Sequence, residues 1–542
     1  MKLFLKLGSS IRAYGSITRT SSLLPVVLVL CVTAFANNEK ALRQAQKALR
    51  TGDYQRAEQL YREILQKDDS EAEAHLGLSK TLLKQQRLRE SFEHAARVIA
   101  MNPLSAEAHA ILGSAILATG DFRLSLEEFR TALNIDDNQA LAVAGLAMID
   151  FYENRNTQAV DKLRRAVTMD EEEPDYVFSL GQAAARAEKY QEAADAYERF
   201  LQIAPRTDAD RRARIRGLID FLRYLGRQSS LYNVSGPERT VLTFESIDNR
   251  PIVNVRINGS KTPLRFVLDT GSGMSVISEE TARRFGLHPV ARGGMARAIG
   301  GGGRFEIVYG YLNSIDLGDI HIENVPIYIR RFYDQQTPVD GYLGIAALVR
   351  LVTAVDYGTR HMTLVRQRNS ADLGSLIDRI ATTGSTNIAV RPGFEVLVRT
   401  TSSGFLSGEV TIEGITKSLN FIIDTGATVS VISQRAAELD RFPEFIQSDR
   451  MRVFGAAGVA EDVKMALLPK VAIGSYTREK INAAVLDLDP INETAGFQQN
   501  GILGGNFLRH FRVVFDFQRG ILRFEPIDAL KSANAAQEKS GL

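Results

Sequence analysis

Two short segments of the sequence place an aspartate at the end of an apolar run and follow it with threonine and glycine. The first reads Phe-Val-Leu-Asp-Thr-Gly-Ser over residues 266–272, and the second reads Phe-Ile-Ile-Asp-Thr-Gly-Ala over residues 421–427. Such an apolar run is typical of a buried strand, so each aspartate is expected at the edge of a sheet. A carboxylate placed there can exchange protons with a ligand in a cleft. Asp269 and Asp424 are therefore the candidate catalytic pair.

The two segments belong to a longer internal duplication. Five residues between 255 and 266 recur 155 positions later, and the Ser-Val-Ile-Ser run at 275–278 recurs at 430–433. The Gly-Tyr-Leu-Gly sequence at 341–344 recurs as Gly-Ile-Leu-Gly 160 positions later. Short β-branched and aromatic runs separated by glycine predict an all-β structure. The predicted organisation is a first lobe at 235–368, a linker at 369–390, a second lobe at 391–528 and a flexible tail at 529–542.

The chemistry follows from placing the two carboxylates face to face across a pseudo-twofold axis. Two like charges within hydrogen-bond range cannot both ionise, so the pair shares one proton. The ionised partner can take a proton from water while the protonated partner donates to a scissile carbonyl oxygen. The residues beside each aspartate are predicted to support the site, the threonine through its hydroxyl and the glycine through a tight turn. These supporting residues are Thr270, Gly271, Ser272, Thr425, Gly426 and Ala427.

Other chemistries are poorly supported by the composition. The single cysteine, Cys31, excludes a disulfide framework and a cysteine zinc site. The seven histidines show no metal-ligand spacing, so neither a metal nor another cofactor is predicted. Gly300 and Gly303 lie in a glycine-rich stretch that lacks the lysine and helix of a phosphate-binding loop. Lys and Arg number 66 against 64 Asp and Glu, which gives no electrostatic case for nucleic-acid binding.

The N-terminus predicts export. A basic and polar stretch precedes an apolar run over residues 23–36, which ends in Ala-Phe-Ala and is followed by two asparagines. This order is typical of a secretory signal peptide, so residues 1–36 are assigned to one. The expected location is periplasmic or secreted. An uncleaved membrane anchor is the alternative, although the run is short for a span of about 20 residues. No membrane span is expected after this segment.

Between the N-terminus and the duplication, small residues recur every 34 positions. They are Ala57, Ser91, Ser125, Ala159 and Ala193. Bulky or apolar residues occur four positions later, and turn signals precede most of the repeats. The pattern resembles tetratricopeptide (TPR) repeats, five of them, starting near 38, 72, 106, 140 and 174, with a capping helix at 207–227. The resemblance implies a solenoid of antiparallel helix pairs over 38–227, with a groove for an extended peptide or a partner protein.

The duplicated region resembles the retropepsin-like aspartic proteases, in the bacterial form with two copies of the domain in one chain. The resemblance covers roughly residues 240–528 and depends on the Asp-Thr-Gly segments and the later apolar-Leu-Gly motif in both copies. It implies that Asp269 and Asp424 form the dyad. It also implies that residues 298–305 and 453–459 are flaps that close over a substrate. The candidate flap glycines are Gly300, Gly303, Gly455 and Gly458. The second copy has Asn506 after its Leu-Gly motif, where the first copy has Ala346.

The combined interpretation is a multidomain protein, with an all-α TPR solenoid followed by two all-β retropepsin-like acid-protease lobes that form a pepsin-like pseudo-dimer. The predicted function is that of an exported aspartic endopeptidase whose TPR region recruits a protein substrate or a partner. A non-catalytic scaffold that binds peptides is the alternative, because a fold alone does not establish activity. We expect the two lobes of one chain to pair, although pairing of like lobes from two chains stays open.

Overall fold

The computed structural model describes residues 38–207, 209–300, 303–334, 337–366 and 393–527. The predicted signal peptide at 1–36, the linker at 369–390 and the tail at 529–542 lie outside these residues. The described residues up to Arg87 form one compact unit, and those from Leu88 onward form a second. Within the described ranges, no helix combines the length and the apolar character that crossing a membrane requires.

The first unit is helical. It contains α1 (38–50), α2 (Tyr54–Leu65) and α3 (Ala72–Lys84). Asp53 caps α2 because its carboxylate accepts a hydrogen bond from the N–H of Arg56 at 3.1 Å. Ala57 is fully buried, and the ring of Tyr61 lies against Gly77 of α3. The small residue thus lets two helices approach, while the aromatic ring one turn later fills the space beside the next helix.

The second unit begins with further helices of the same kind. They are α4 (Leu88–Met101), α5 (Ala106–Thr119), α6 (Phe122–Ile135), α7 (Ala140–Tyr152), α8 (Asn156–Met169), α9 (Pro174–Arg186), α10 (Tyr190–Ile203) and α11 (Ala209–Leu225). The helices that begin at 38, 72, 106, 140 and 174 have the spacing of 34 residues that the sequence predicts. Phe129 is fully buried between Gly113 of α5 and Gly145 of α7. The predicted α-helical repeat fold is confirmed.

The first lobe follows. Its strands are β1 (Asn233–Ser235), β2 (Arg239–Thr243), β3 (Glu245–Ile247), β4 (Arg250–Ile257), β5 (Leu264–Leu268), β6 (Ser275–Ser278), β7 (Ala291–Arg297), β8 (Arg304–Leu317), β9 (Ile320–Arg330), β10 (Gly341–Leu343), β11 (Leu351–Asp356) and β12 (His361–Arg366). A short helix, α12 (Glu279–Arg284), follows β6. The main sheet has the order β1-β9-β6-β10-β5-β4-β8-β7, and β3 pairs with β4.

The second lobe repeats this plan. Its strands are β13 (Phe394–Leu397), β14 (Arg399–Thr400), β15 (Leu406–Ile412), β16 (Leu419–Ile423), β17 (Ser430–Ser433), β18 (Ile446–Gly455), β19 (Gly458–Ile473), β20 (Tyr476–Leu486), β21 (Gly501–Leu503), β22 (Phe511–Asp516) and β23 (Ile521–Pro526). Two short helices, α13 (Asp489–Ala495) and α14 (Gly505–Leu508), flank β21. The main sheet has the order β14-β15-β16-β21-β17-β20-β19-β18. The predicted pair of all-β lobes is confirmed.

A further sheet joins the two lobes. Its order is β13-β23-β22-β11-β12-β2, so three strands come from each side of the duplication. The central contact is antiparallel pairing of β11 with β22, in which Ala354 lies opposite Val514. Both residues are almost completely buried. Because backbone hydrogen bonds cross from one lobe to the other, this sheet fixes how the lobes face each other.

The helices of the second unit also pack on the lobes. Phe221 of α11 stacks on Tyr309 of β8 with ring centroids 4.3 Å apart. Phe497, which precedes β21, makes an edge contact with Phe122 of α6 at 5.0 Å. Arg186 donates hydrogen bonds to the carbonyl oxygens of residues 401 and 402, before β15. The repeat helices from 88 onward and the lobes therefore share hydrophobic cores.

Candidate active site

The two aspartates occupy equivalent positions in the two lobes. Asp269 directly follows β5, and Asp424 directly follows β16. The N–H of Asp269 donates to Leu343 O at 3.0 Å, and the N–H of Asp424 donates to Leu503 O at 3.1 Å. In each lobe the aspartate strand runs parallel to the strand of the later Leu-Gly motif. The carboxyl ends of parallel strands meet at one sheet edge, which is how each lobe places its aspartate.

The structure brings the two side chains together within one chain, close enough for each carboxyl group to act on the pKa of the other. The N–H of Gly271 donates to the Oδ1 of Asp269 at 3.0 Å, and the N–H of Gly426 donates to the Oδ1 of Asp424 at 2.7 Å. Each carboxylate thus accepts a backbone N–H from the glycine two residues later in its own loop.

The threonines of the two segments interlock across the lobe boundary. Thr270 Oγ1 donates to Ile423 O at 2.7 Å, and Thr425 Oγ1 donates to Leu268 O at 2.7 Å. Thr425 Oγ1 also accepts from the N–H of Thr270 at 3.2 Å, and Thr270 Oγ1 accepts from the N–H of Thr425 at 3.0 Å. Both threonines are almost completely buried. Four hydrogen bonds thus hold the two aspartate loops in register without water.

The glycines after the threonines allow the loops to meet. A Cβ atom on Gly271 would lie 2.4 Å from the carboxyl carbon of Asp424, and one on Gly426 would lie 2.6 Å from Oδ1 of Asp269. These distances are far below van der Waals contact, so a side chain at either position would separate the aspartates. Ser272 takes no part in this contact, since its hydroxyl donates to Met274 O within its own loop.

Two buried serines brace the aspartate loops, and the sequence interpretation did not identify them as part of the site. Ser275 Oγ accepts from the N–H of Gly344, and Ser430 Oγ accepts from the N–H of Gly504, both at 3.1 Å. The signal was present in the sequence, because both serines belong to the duplicated Ser-Val-Ile-Ser runs. Asn506 adds a brace in the second lobe, where its Oδ1 accepts from the hydroxyl of Ser430 at 2.8 Å.

The first lobe has a methyl group where the second has this amide. Ala346 cannot make a side-chain hydrogen bond, but its N–H donates to Gly273 O at 2.9 Å. The neighbouring N–H of Ile345 donates to Ser272 O at 2.9 Å, which matches the bond from Gly505 to Ala427 in the second lobe. Backbone hydrogen bonds therefore hold the first loop in place.

The glycine-containing segments form the tips of two long hairpins. One hairpin consists of β7 and β8, and the other consists of β18 and β19. In the described part of the tips, Gly300 packs against Gly455, and Gly303 lies close to Ala457. The N–H of Ala457 also donates to Ile299 O at 3.4 Å. Gly458 begins β19 at the second tip. The structure therefore brings the two predicted flap segments into contact with each other.

Burial raises the pKa of Asp269 well above its ordinary value, and the charge of Asp424 raises it further. Burial also raises the pKa of Asp424, while the backbone donors of Gly426, Ala427 and Gly271 work in the opposite direction. As whole residues, Asp269 and Asp424 are nonetheless only half-buried. The pair is therefore suited to hold one proton and one negative charge next to each other.

A metal centre has no support in the part of the chain that the structure describes. No group of three or more histidine, cysteine, aspartate or glutamate side chains is arranged there to hold an ion. The groups that this site offers for proton transfer are the two carboxyl groups.

Comparisons with known proteins agree with this architecture. The aspartyl protease family matches residues 253–347 and 408–507, one segment in each lobe. Two tetratricopeptide repeat families match residues 48–115 and 145–206. The aspartyl protease family model thus matches a segment of each lobe, and tetratricopeptide repeat models match segments of the helical region before them. The predicted family resemblance is confirmed.

Solved structures with similar folds cover the two regions separately. The aspartic proteinase from Irpex lacteus is 14% identical over 53% of this chain and 97% of its own, with a TM-score of 0.34. A thermophilic TPR protein in Thermus thermophilus is 20% identical over 34% of this chain and 98% of its own, with a TM-score of 0.29. None of the curated proteins matches the chain.

Proposed function

We propose that this protein is an aspartic-type endopeptidase with one active site per chain, formed by Asp269 and Asp424. The observation that carries the proposal is the close approach of two carboxyl groups that come from duplicated, interlocked loops. A pair of buried carboxyl groups is costly to a fold, so its presence in an accessible position favours a catalytic role. The family match of both lobes supports the same conclusion.

In this proposal the pair holds one proton and one negative charge, with Asp269 as the protonated partner and Asp424 as the ionised one. A water between the two carboxyl groups loses a proton to Asp424 as its oxygen attacks the peptide carbonyl carbon. Asp269 gives its proton to the carbonyl oxygen, and a gem-diol forms. Asp424 then passes the proton taken from water to the amide nitrogen, a hydroxyl of the gem-diol returns a proton to Asp269, the C–N bond breaks, and the acid and amine products leave.

The surrounding elements have supporting roles in this proposal. The two hairpin tips act as flaps that must separate to admit a peptide, because they now contact each other. The TPR region recruits a protein substrate or a partner, as helical repeats offer extended binding surfaces. The N-terminal sequence supports export to the periplasm or the medium, with retention as a membrane anchor as the alternative.

Cleavage of a casein-like protein by the purified full chain tests the proposal. Activity should be sensitive to pepstatin and should depend on pH as a coupled carboxyl pair requires. Asp269→Asn and Asp424→Asn should each abolish cleavage, while Lys417→Gln, an exposed change in the second lobe, should leave it unchanged. Folded protein that cleaves nothing between about pH 3 and pH 8 would instead support the peptide-binding scaffold.

The same variants test the pairing of the lobes. A single site within the chain predicts that specific activity is independent of dilution, because no association step is needed. If Asp269→Asn retained about half of the activity, pairing of like lobes from two chains would replace the proposed arrangement.

A further inference from the structure

A pocket of about 400 Å³ lies on the first lobe beside the hairpin tips. Its walls come from α12, from the β7–β8 hairpin and from the end of β9, and the tip of the second hairpin contributes Ala456. The pocket therefore lies on the first lobe, next to the two hairpin tips. Both flaps reach it, so it belongs to the region that the flaps would cover.

Positive charge predominates in this pocket. Five arginines line it, against two glutamates. The arginines are Arg283, Arg292, Arg304, Arg330 and Arg331, and the glutamates are Glu279 and Glu306. Arg292 is neutralised by an ion pair with Glu306. Arg283 and Arg331 are exposed, and neither forms an ion pair with any residue in the described ranges. The rim of the pocket thus offers cations that an acidic ligand could reach.

Arg330 forms the inner wall. Its guanidinium group lies over the ring of Phe305 at 4.4 Å, and its Nη2 donates to Ala456 O at 2.6 Å. Its Nε is buried and has no hydrogen-bond partner among the described residues. No carboxylate in the described part of the chain forms an ion pair with it. A buried donor without a partner is costly, and an anionic ligand would relieve that cost.

Arg330 is also close to the catalytic pair. Its positive charge acts on Asp269 and partly opposes the rise in the pKa of that carboxyl group. Arg330 therefore links the pocket electrostatically to the aspartate pair.

The second lobe provides an internal comparison. In the first lobe, Ser278 of β6 lies opposite Arg330 of β9. In the second lobe the equivalent Ser433 of β17 lies opposite Leu486 of β20. Leu486 is buried in an apolar cluster that extends to Val431 and Ile502. The next residue is Arg331 in the first lobe and Asp487 in the second. The basic pocket is thus a feature of one lobe and not of the repeated fold.

We propose that this pocket binds an acidic side chain, glutamate or aspartate, of a peptide substrate. This inference rests on the proposed function, which it extends to the substrate class. A guanidinium group binds a carboxylate through two parallel N–H···O bonds, and the exposed Arg283 and Arg331 at the rim offer such groups to a ligand.

Binding measurements test this without requiring cleavage. The full chain carrying Asp424→Asn is titrated against labelled octapeptides with two central leucines and a single Glu, placed in turn at each other position. Each peptide is compared with its Gln counterpart by fluorescence anisotropy. At one position we expect Glu to bind at least about tenfold more tightly than Gln. Equal binding of Glu and Gln at every position, or no saturable binding of any Glu peptide, overturns the proposal.

Two sets of variants test which arginines cause the preference for Glu over Gln. Arg330→Leu, which copies the residue of the second lobe, should remove the difference between Glu and Gln, and Lys417→Gln should keep it. Because Arg330 is partly buried, the exposed double change Arg283→Gln/Arg331→Gln provides a second test that does not risk the fold, and it should weaken the preference. A preference that survives both changes contradicts the assignment. If the Glu peptides bind selectively but the unmodified chain cleaves no substrate, the proposal for the pocket stands and only the proposed protease function is refuted.

Discussion

The interlock between the two aspartate loops can be tested by removing one hydroxyl group. Thr425→Val keeps the size of the side chain but deletes a group that makes two hydrogen bonds to the first lobe. Its donation to Leu268 O and its acceptance from the N–H of Thr270 are both lost. Thr425 is fully buried, so water cannot replace either bond. Thr425→Ser is the matched control because it retains the hydroxyl.

The expected loss of stability follows from the two groups left without partners. Each buried N–H or C=O group without a partner costs about 1–3 kcal/mol, so Thr425→Val should lower the free energy of unfolding by about 2–6 kcal/mol. Thr270→Val leaves the equivalent two groups unpaired, at Ile423 O and the N–H of Thr425. The double variant would lose about 4–12 kcal/mol. Since whole domains are stable by only about 5–15 kcal/mol, the double variant should not hold the two loops together.

Urea unfolding and hydrogen exchange measure this loss. The chain contains no tryptophan and 16 tyrosines, so unfolding is best followed by near-ultraviolet circular dichroism of the tyrosines. Exchange of the amides in residues 266–272 and 421–427 reports the loops directly, even where the joining sheet keeps the lobes associated. A loss below about 0.5 kcal/mol in Thr425→Val, or an equal loss in Thr425→Ser, would refute the argument that the hydroxyls hold the loops together.

Three further predictions concern charge and packing. Because the folded chain holds the proton of Asp269 above its ordinary pKa, stability should fall as the pH rises through that folded pKa. The urea concentration at the midpoint of unfolding should therefore rise for Asp269→Asn relative to the unmodified chain, and this difference should be larger at about pH 7 than at about pH 3. Glu525 is fully buried and accepts a hydrogen bond from Arg512 at 2.6 Å. Glu525→Gln should therefore lower the free energy of unfolding by about 3–5 kcal/mol, as measured by urea titration. In a helix, alanine is usually more stabilising than glycine by about 1 kcal/mol. Gly145→Ala should nevertheless destabilise the protein, because the new Cβ would lie 2.1 Å from the ring of Phe129. Thermal melting should show this loss, and Phe129→Leu in the same chain should reduce it.

Local patterns made much of this architecture predictable. Helix pairs with a period of 34 residues need a small residue where they cross, so Ala57 and its equivalents mark the repeats. An apolar run that ends in Asp-Thr-Gly needs a buried strand, and its duplication 155 positions later implies a second lobe. Side-chain periodicity and turn residues act over a few neighbours, which is why they can be read without coordinates.

The contacts between segments that are far apart in the sequence could be identified only from the structure. The pairing of β11 with β22 joins residues about 160 positions apart, and no local pattern specifies that strands of the two lobes share a sheet. The packing of Phe221 on Tyr309 is equally invisible in the sequence, where an aromatic residue on a helix indicates only that some apolar surface is nearby.

The candidate aspartate pair and the basic pocket differ in the same way. The duplicated Asp-Thr-Gly motif predicts Asp269 and Asp424 as the candidate pair from the sequence alone. Arg330 follows no motif, and its environment depends on Phe305 and Ala456, which belong to hairpins of opposite lobes. Charge on a side chain is a property of the residue, whereas burial, missing partners and nearness to a dyad arise only when the folded lobes enclose it.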